Sequence, residues 1–520
     1  MRDRGFWFGL AVLLASVAAA ASGFDLVATG HDSRIDLTWS GGHAGYHVYR
    51  GDTAEGPFEK LTRNPWELNV YSDFLGENGR TYHYLVASVE RGGVESAPSQ
   101  TVSARSYAMT DEQLLTSVQE ATLRYFWDYA HPVSGLARER LHSQDTCTSG
   151  GTGFGMMAIC VGVERGFVER KEAAAHLLKM VRFLETKATR YHGAWSHWIS
   201  GRIGKTIPFS KFDDGGDLVE TAYLIQGMLT VRRYFDADDA VERELRETIT
   251  RLWEQVEWDW YLREPGSKRL YWHWSPRYEW RMNHAIGGHF NECMITYLLA
   301  IASPTHGIDP ACYYEGWVGR DDSGYVNGNT YYGHKQWVGW PMGGPLFFTH
   351  YSFLGFDPRR KRDRYCNYFE NNRNISLIQQ AYCAANPGGH KGYSALCWGL
   401  TASDTPGGYR AHEPRRDNGT ITPTAAISAM PYVPKESIAT LKHFYHTYGP
   451  RLWGPFGFRD AFNLDKDWFA KSYLAIDQGP IVVMIENYRT GLCWRMFMAN
   501  PEIEEMLRRI GWQIDLPPAP

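Results

Sequence analysis

The sequence predicts a mostly α-helical protein with a small all-β domain in front of it. Two different spacings of apolar side chains along the sequence support this prediction. Between residues 24 and about 106, short stretches alternate apolar and polar side chains, as β-strands do. From about Asp111 onward, apolar side chains recur every three or four positions, as on one face of a helix. Paired helices repeated about six times are typical of an (α/α)6 toroid, which we predict for residues 108–515.

The first 22 residues have the pattern of an export signal. Arg2 and Arg4 supply positive charge, residues 6–17 are apolar, and the small residues at 18–21 offer a cleavage site. The apolar stretch is short for a membrane-spanning helix. We therefore expect an exported protein, periplasmic or secreted, whose mature chain does not span a membrane.

Residues 23–107 have the pattern of a β-sandwich. Alternating stretches lie at 34–39, 45–50 and 81–86. Turns rich in glycine separate them, and short strands at this spacing are typical of a sandwich. The placement of Trp39, Tyr46 and Tyr82 resembles a fibronectin type III domain. The sequence does not identify a partner for this module.

The helical region begins at about residue 111 and contains about twelve predicted helices. After the first, they lie near 153–165, 171–187, 217–235, 239–262, 286–302, 343–355, 362–382, 422–430, 435–448, 480–490 and 502–511. Loops rich in glycine and aromatic residues separate them, and the longest span 188–216 and 303–342. Because loops of this length are uncommon as mere connections, we expect them to build a site.

The stretch at 213–227, DDGGDLVETAYLIQG, brings up to four carboxylates to the start of a helix. Asp217 and Glu220 are three residues apart, so they share one helix face. The same spacing is a capping box, in which Asp217 is the N-cap and Glu220 reaches back from the third helical position. This stretch alone therefore allows two interpretations, a capped helix start and a pair of acids aimed at a site.

Charge and composition narrow the class of ligand. The net charge is −4 without a clustered basic region, which argues against nucleic acid as a partner. The chain contains 20 Trp, 31 Tyr and 24 Phe, and many of these rings stand beside polar residues. Such rings suit the flat faces of sugars, and the alternative is an aromatic-rich core.

No metal or cofactor is predicted. None of the eight cysteines forms a CxxC motif and none pairs with histidine at zinc-finger spacing; buried thiols and disulfides both stay open, and the sequence assigns no disulfide pairing. The nineteen histidines include no HExxH motif. The glycines at 151–155 lack the lysine of a phosphate-binding loop, and no G-x-S-x-G serine motif occurs.

Several ordered blocks resemble the bacterial glucoamylase-like family that includes glycoside hydrolase family 144. The blocks are YFWD at 125–128, TGFG at 152–155, PFS at 208–210, DDGGDLVET at 213–221, NEC at 291–293, SPTH at 303–306, GGPLFFTHYS at 343–352, CWGLTASD at 397–404, AIDQGP at 475–480 and IENYR at 485–489. Each block is weakly diagnostic alone, but the ordered set covers most of 111–511. It does not cover the N-terminal sandwich.

The resemblance implies an (α/α)6 fold and hydrolysis of β-1,2-glucan. We expect an endo-acting, inverting enzyme without a cofactor. One alternative is an exo-acting enzyme that releases sophorose. An alternative of another class is a non-hydrolytic glucan-binding or transglycosylating accessory protein.

Glycoside hydrolysis requires two carboxyl groups, one of which is an acid with a raised pKa. The candidate catalytic residues are Asp217, Glu220, Glu292 and Asp477. In an inverting scheme Glu292 or Glu220 is the acid, and Asp217 or Asp477 lies on the side of the attacking water. The sequence leaves these roles open because the separation of the carboxyl groups decides them.

Polar and aromatic residues in the loops are candidates for binding sugar. They are Trp195, His197, Trp198, Asp214, His350, Tyr351, Trp398, Asp404, Tyr409 and His412. Each has a structural alternative, whereas the group as a whole predicts a glycan-binding cleft.

Overall fold

The computed structural model describes residues 25–90, 92–319 and 324–514, so the predicted export signal at 1–22 lies outside the described residues. The described chain forms two compact units. One contains the residues up to Ser117 together with His446–Pro455, and the other contains Val118–Tyr445 and the residues from Phe456 onward. This division does not test the predicted domain boundary between residues 107 and 108, which stays a prediction.

The first unit is a sandwich of two antiparallel sheets, as predicted. Its strands are β1 (Val27–His31), β2 (Arg34–Thr38), β3 (Gly45–Gly51), β4 (Phe58–Lys60), β5 (Val70–Phe74), β6 (Thr81–Val89) and β7 (Val102–Arg105). One sheet has the order β1-β2-β5 and the other the order β4-β3-β6-β7. Ile35, Leu37 and Tyr46 are fully buried in the shared core, which explains the alternating pattern of the sequence.

Strand β2 is buried on both faces, which its alternating pattern does not predict. Arg34 is fully buried, its guanidinium Nε donates to Asp36 Oδ1 at 2.9 Å, and it lies 4.4 Å from the ring of Trp453. The pair is tolerated because each charge has its partner inside the unit.

The α-helices lie mostly where the sequence predicts them. They are α1 (Asp111–Trp127), α2 (Ser149–Glu164), α3 (Arg170–Thr186), α4 (Leu218–Tyr234), α5 (Ala240–Glu254), α6 (Met294–Ala302), α7 (Tyr368–Ala385), α8 (Pro423–Ile427), α9 (Pro434–Leu452), α10 (Ala475–Arg489), α11 (Leu492–Met498) and α12 (Pro501–Ile510). The sequence did not predict α11.

Three predicted helices were wrong in form or extent. The stretch 343–355 is not one helix, because Gly343 and Gly344 have φ values of 91° and 71° and a proline follows them. Short 3-10 turns replace it at Pro341–Gly343, Leu346–Thr349 and Tyr351–Phe353. The helix predicted at 286–302 begins only at Met294, and the glycine turn before it leaves Glu292 in a loop. A 3-10 turn at Trp258–Leu262 also replaces the end of the helix predicted at 239–262.

Short antiparallel strands lie in the loops between the helices, and all but one of them belong to the second unit. They are Thr146–Thr148, Arg190–Tyr191, Ala194–Trp195, Trp198–Ser200, Thr206–Ile207, Gly216–Asp217, His273–Trp274, Thr330–Tyr331, His334–Lys335, Lys361–Arg362, Ala402–Thr405, Gly408–Ala411, Thr420–Ile421, Trp453–Gly454, Gly457–Phe458, Phe462–Asn463, Trp468–Phe469 and Gln513–Ile514, of which Trp453–Gly454 belongs to the first unit. The pairing of Gly216–Asp217 with His273–Trp274 brings a distant loop to the start of α4.

Helix α2 lies at the centre of the second unit, and glycines allow its neighbours to approach. A Cβ atom at Gly153 would lie 2.2 Å from the carbonyl oxygen of Tyr223 in α4. A Cβ atom at Gly479 in α10 would lie 2.4 Å from Cβ of Phe154. This close packing fixes the first turns of α4 and α10, and these turns carry Glu220 and Asp477.

None of the described helices combines the length and the apolar character needed to cross a bilayer. All eight cysteines are buried free thiols.

The contact between α2 and α4 predicts a large effect of a small substitution. Gly153→Ala should lower the free energy of unfolding by about 2 to 3 kcal/mol, because its Cβ meets backbone that cannot rotate away. Urea denaturation measures this change. Gly42→Ala is the control, since a Cβ atom there meets nothing within 4 Å. Equal stability of the two variants would contradict the packing described here.

Candidate active site

Two cavities in the second unit share Trp272, Glu292 and Phe347, and together we call them the cleft. The first cavity has a volume of about 310 Å³ and the second about 400 Å³. The first is lined by Glu139, Arg140, Thr148, His197, Trp198, Phe209, Glu220, Tyr223, Tyr351, Ala402, Tyr409, Leu474 and Ile476 in addition to the shared residues. Glu292 is the only carboxylate among the three shared residues, so it stands where the two cavities meet.

Glu292 is held by its backbone and leaves its carboxyl group available. Its carbonyl oxygen accepts hydrogen bonds from Ser352 Oγ at 2.5 Å and from the Tyr223 hydroxyl at 3.3 Å. Its Oε2 is buried and has no hydrogen-bond partner among the described residues. Burial raises the pKa of Glu292 to about 7, so this carboxyl group still holds a proton near neutral pH. These properties suit a general acid.

Glu220 lies in the first turn of α4 and lines the first cavity. Its Oε2 accepts the backbone N–H of Gly150, in the first turn of α2, at 2.8 Å and the Thr148 hydroxyl at 3.2 Å. Burial raises the pKa of Glu220, and the nearby charge of His197 opposes this effect. Glu220 therefore joins the starts of two helices at the wall of the cleft.

Asp217 is the N-cap of α4, as the capping interpretation predicted. Its Oδ1 accepts the backbone N–H groups of Val219 at 3.1 Å and Glu220 at 2.9 Å. The reciprocal half of the capping box is absent, because the carboxylate of Glu220 binds Gly150 instead. The second oxygen of Asp217 lies 3.1 Å from His197 Nδ1 and 3.6 Å from His273 Nε2.

Asp217 is fully buried and lines neither cavity. Burial would raise the pKa of Asp217, but hydrogen bonds from His197 and His273 lower it well below its usual range. Its predicted catalytic role stays a prediction. The contacts favour a carboxylate that caps a helix and orients a histidine in the cleft wall.

His197 brings a positive charge to the first cavity. Burial disfavours the charged ring, but the carboxylates of Glu220 and Asp217 raise the pKa of His197 to about 9. Its Nε2 lies 3.9 Å from Glu220 Oε1, and its ring stacks on Phe209 with the centroids 4.3 Å apart. The imidazolium is thus fixed in place and available to a polar ligand.

The same group of side chains includes the donor atoms best placed for a metal. Single donor atoms of His197, Asp213 and Asp217 lie within 4.8 Å of one another. His273 also faces this group, and Asp213 and Asp217 raise its pKa to about 9 against the effect of burial. With these raised pKa values both histidines are protonated near neutral pH, so a metal bound here would displace their protons. The sequence prediction of no metal stays a prediction.

Asp477 lies in the first turn of α10 beside Leu474 and Ile476, which line the first cavity. Its Oδ1 is 3.5 Å from the Tyr351 hydroxyl, and Oδ2 has no hydrogen-bond partner among the described residues. Burial, followed by the negative charge of Asp460, raises the pKa of Asp477 well above its usual range. Tyr351, whose hydroxyl faces Asp477, also lines the first cavity together with Glu220 and Glu292.

The structure brings some of the predicted sugar-binding residues together and not others. His197, Trp198, Tyr351 and Tyr409 line the first cavity, and Tyr409 keeps 48% of its surface exposed. Asp404 lies close by, where its Oδ1 accepts from Arg140 Nη1 at 3.1 Å.

Four predicted binding residues pack the interior instead of lining the cleft. They are Trp195, His350, Trp398 and His412, whose exposed fractions are 0, 2, 0 and 1%. The sugar-binding role predicted for these four residues stays a prediction. Asp214 lines neither cavity, and its Oδ1 is buried without a hydrogen-bond partner among the described residues.

Sequence reasoning missed Tyr223, Trp272, Phe347 and Asp460. Tyr223 follows the apolar period of α4, so its pattern is that of a core residue. Trp272 stands in the aromatic stretch YWHW, which is a signal that could have identified it. Asp460 lies in no recognisable motif.

Comparison with known proteins gives a consistent set of relatives. Residues 283–501 match the family model described as "Glycoamylase: Putative glucoamylase". The chain is 46% identical to the exo β-1,2-glucooligosaccharide sophorohydrolase (non-reducing end) of Parabacteroides distasonis, over 96% of this chain and 72% of that enzyme.

Two solved structures are similar to the chain over long stretches. The β-1,2-glucanase from Parabacteroides distasonis has a TM-score of 0.91 and 45% identity, over 95% of this chain and 74% of that one. The endo-β-1,2-glucanase from Chitinophaga pinensis, solved with sophorotriose and glucose, has a TM-score of 0.75 and 47% identity, over 78% of this chain and 99% of that one.

The charge on Asp217 can be tested separately from its capping role. Asn caps helices as well as Asp does, so Asp217→Asn removes mainly the charge. We expect the variant to lose about 3 kcal/mol of stability at about pH 6, because His197 and His273 lose their buried counterion.

This loss should depend on pH in a defined direction. The pKa of each histidine is raised from 6.5 to about 9. Their contribution is therefore complete below 6.5 and disappears as the pH rises through about 9, where the two stability curves should converge. Thermal unfolding across this range measures it. Asp239→Asn is the matched control, since Asp239 caps α5 at the surface without a histidine. A difference that does not change with pH would argue against the ion pairs.

Proposed function

The chain belongs to the bacterial glucoamylase-like family of glycoside hydrolases that includes glycoside hydrolase family 144, and on that basis we propose that it hydrolyses β-1,2-glucan in the cleft around Glu292. The family resemblance, the fold class and the enzyme class predicted from the sequence are confirmed by these matches. The names of the relatives support β-1,2-glucan as the substrate.

The position of Glu292 carries the proposal. A buried carboxyl group that is protonated near neutral pH lies between two cavities, each with room for sugar units. A glucan that occupies both cavities places a glycosidic bond beside Glu292. In the reaction Oε2 gives its proton to the glycosidic oxygen as the bond to the anomeric carbon breaks.

We assign the water side of the reaction to Asp477. In an inverting reaction, a water molecule attacks the anomeric carbon and a carboxylate takes its proton. Asp477 lies beside Leu474 and Ile476 of the first cavity, and its carboxylate can accept this proton. Glu220 is less suitable because Gly150 and Thr148 already bind its Oε2 and the charged His197 lies near its Oε1. Its role in the proposal is to hold His197 at the cavity wall.

Aromatic side chains supply the remaining surface for the glucan. Trp198, Phe209 and Tyr409 line the first cavity, and Trp272 and Phe347 extend into the second. Flat rings offer apolar contact to sugar faces, while His197 and Arg140 offer donors to hydroxyl groups.

Two modes of action follow from the relatives. Similarity to the enzyme named as an exo sophorohydrolase extends over 96% of the chain, which favours release of sophorose from the non-reducing end. The endo mode predicted from the sequence is the second candidate, because the Chitinophaga pinensis endo-glucanase is 47% identical. The export pattern at residues 1–22 supports action outside the cytoplasm.

Glu292→Gln tests the acid. We expect kcat to fall about a hundredfold or more, because the amide cannot give a proton to the leaving oxygen. In the unchanged enzyme, kcat/KM should fall as the pH rises through about 7, where Glu292 loses its proton. Steady-state rates on linear β-1,2-glucan measure both effects. The exposed Glu264→Gln is the control, and a variant at Glu292 that retains full activity would assign the acid to another residue.

The products distinguish the two modes and the non-hydrolytic alternative. Linear β-1,2-glucan treated with the enzyme should yield sophorose alone if action is exo, and a ladder of oligosaccharides if it is endo. Chromatography by size, sampled early in the reaction, separates these outcomes. Failure to release reducing ends from any β-1,2-glucan would sink the proposed hydrolase function.

A further inference from the structure

A group of acids lies beside Asp477, and of its members only Glu139 lines the cleft. Asp404 and Asp460 belong to this group, and Glu139 stands at its edge in the first cavity. Arg140 ion-pairs with this group, through Nε to Glu139 at 2.9 Å and through Nη1 to Asp404 at 3.1 Å. Neither Asp460 nor Asp477 forms an ion pair in the part of the chain that the structure describes. These two carboxyl groups are therefore not neutralised by a cation.

The hydrogen bonds of Asp460 and Asp477 leave one oxygen of each carboxyl group without a donor. Oδ2 of Asp460 accepts the backbone N–H of Asp404 at 2.7 Å, and Oδ1 of Asp477 faces the Tyr351 hydroxyl. Oδ1 of Asp460 and Oδ2 of Asp477 are buried, and no N–H or O–H of another described residue reaches them. The two carboxyl groups nevertheless contact each other directly.

Two ionised carboxylates cannot satisfy this arrangement, because each is only an acceptor. Two unpaired negative charges in contact and out of water are also strongly unfavourable. One proton between the two groups removes both problems, since one carboxyl group then donates to the other.

We propose that Asp460 and Asp477 share one proton and titrate as a unit, and that Asp460 is a positioning residue that sets the basicity of Asp477. The inference rests on the proposed role of Asp477 on the water side. Burial and the charge of Asp404 raise the pKa of Asp460 to about 7, and the pKa of Asp477 is raised further still.

The charged and titratable groups around the pair are consistent with this state. Asp404 accepts hydrogen bonds from Arg140 Nη1 and from Ser472 Oγ, which donates to its Oδ2 at 2.5 Å. Tyr351 and Tyr409 face the pair with hydroxyl groups whose pKa values burial and the charges of these acids raise well above the usual range, so both hydroxyls are neutral.

The pair with its one shared proton can still accept the proton that the attacking water releases. With one proton the pair has a charge of −1 and can accept a second proton. As the water oxygen bonds to the anomeric carbon, its proton passes to Asp477 and the pair becomes neutral, while Glu292 protonates the leaving oxygen. Return of the pair's extra proton to solvent and reprotonation of Glu292 restore the enzyme. Burial and the charge of Asp404 raise the pKa at which Asp477 takes up a second proton, whereas the hydrogen bond from its protonated partner lowers that pKa.

Infrared difference spectroscopy detects protonated carboxyl groups through their carboxylic-acid band, and it needs no substrate, so it can count the shared proton. The reference protein is the full chain carrying Glu292→Gln. Because of this substitution, residue 292 does not contribute to the carboxylic-acid band. Asp460→Asn, Asp477→Asn and the double variant are compared with it at about pH 7, where an ordinary aspartate is ionised. Asparagine keeps the shape of the side chain and can donate to the carboxylate that remains.

We expect each single variant to lose the band intensity of one carboxylic acid, and the double variant to lose the same amount. One shared proton explains equal losses that do not add. Unchanged intensity in both single variants, or losses that add in the double variant, would overturn the shared proton. Asp465→Asn is the matched control, since Asp465 is a surface carboxylate bound by His390 and Lys391.

Kinetics then test the link to the reaction. Asp460→Asn alone should move the acidic limb of the kcat–pH profile to higher pH and change KM less than about twofold, because the amide donates a weaker hydrogen bond to Asp477 than the shared proton does and Asp477 then takes up a solvent proton more readily. An acidic limb that does not move, or an effect confined to KM, would overturn the role of Asp460. If the band losses do not add but the enzyme releases no sugar from β-1,2-glucan, the shared proton stands and the proposed function fails.

Discussion

The close packing of α2 against α4 and α10 is the constraint on which the site depends. Glycines at the contacts allow backbone to approach backbone, and this packing fixes the first turn of each helix. Glu220 leaves the first turn of α4 and binds the first turn of α2, while Asp477 leaves the first turn of α10. The carboxylates are therefore aimed by rigid elements rather than by flexible loops, which is what precise catalysis requires.

Burial then gives similar carboxyl groups different properties. Glu292 has one oxygen without a partner, and burial keeps it protonated near neutral pH. Asp217 is fully buried and has two helix N–H groups and two histidines as partners, so it stays ionised. The carboxyl group of Asp477 contacts the carboxyl group of another acid, Asp460. Differences in partners, together with differences in exposure to the cleft, separate the roles of these acids.

The relatives and the cleft point to the same chemistry from independent directions. Similarity identifies the family and brings β-1,2-glucan forward as the substrate. The cleft provides an acid between two cavities and aromatic walls on either side. The first unit is a separate β-sandwich, and none of the catalytic candidates lies in it.

The sequence by itself determined the order of the elements, the sandwich, most of the helices and the cap at Asp217, because these depend on periodicity and spacing within one segment. Only the tertiary structure decided that Glu220 lines the cleft while Asp217 lies behind it, and that Trp195 and Trp398 are interior. It also brought Asp460 to Asp477. Contacts between segments distant in the chain create such burial and charge pairing, and no local pattern records them.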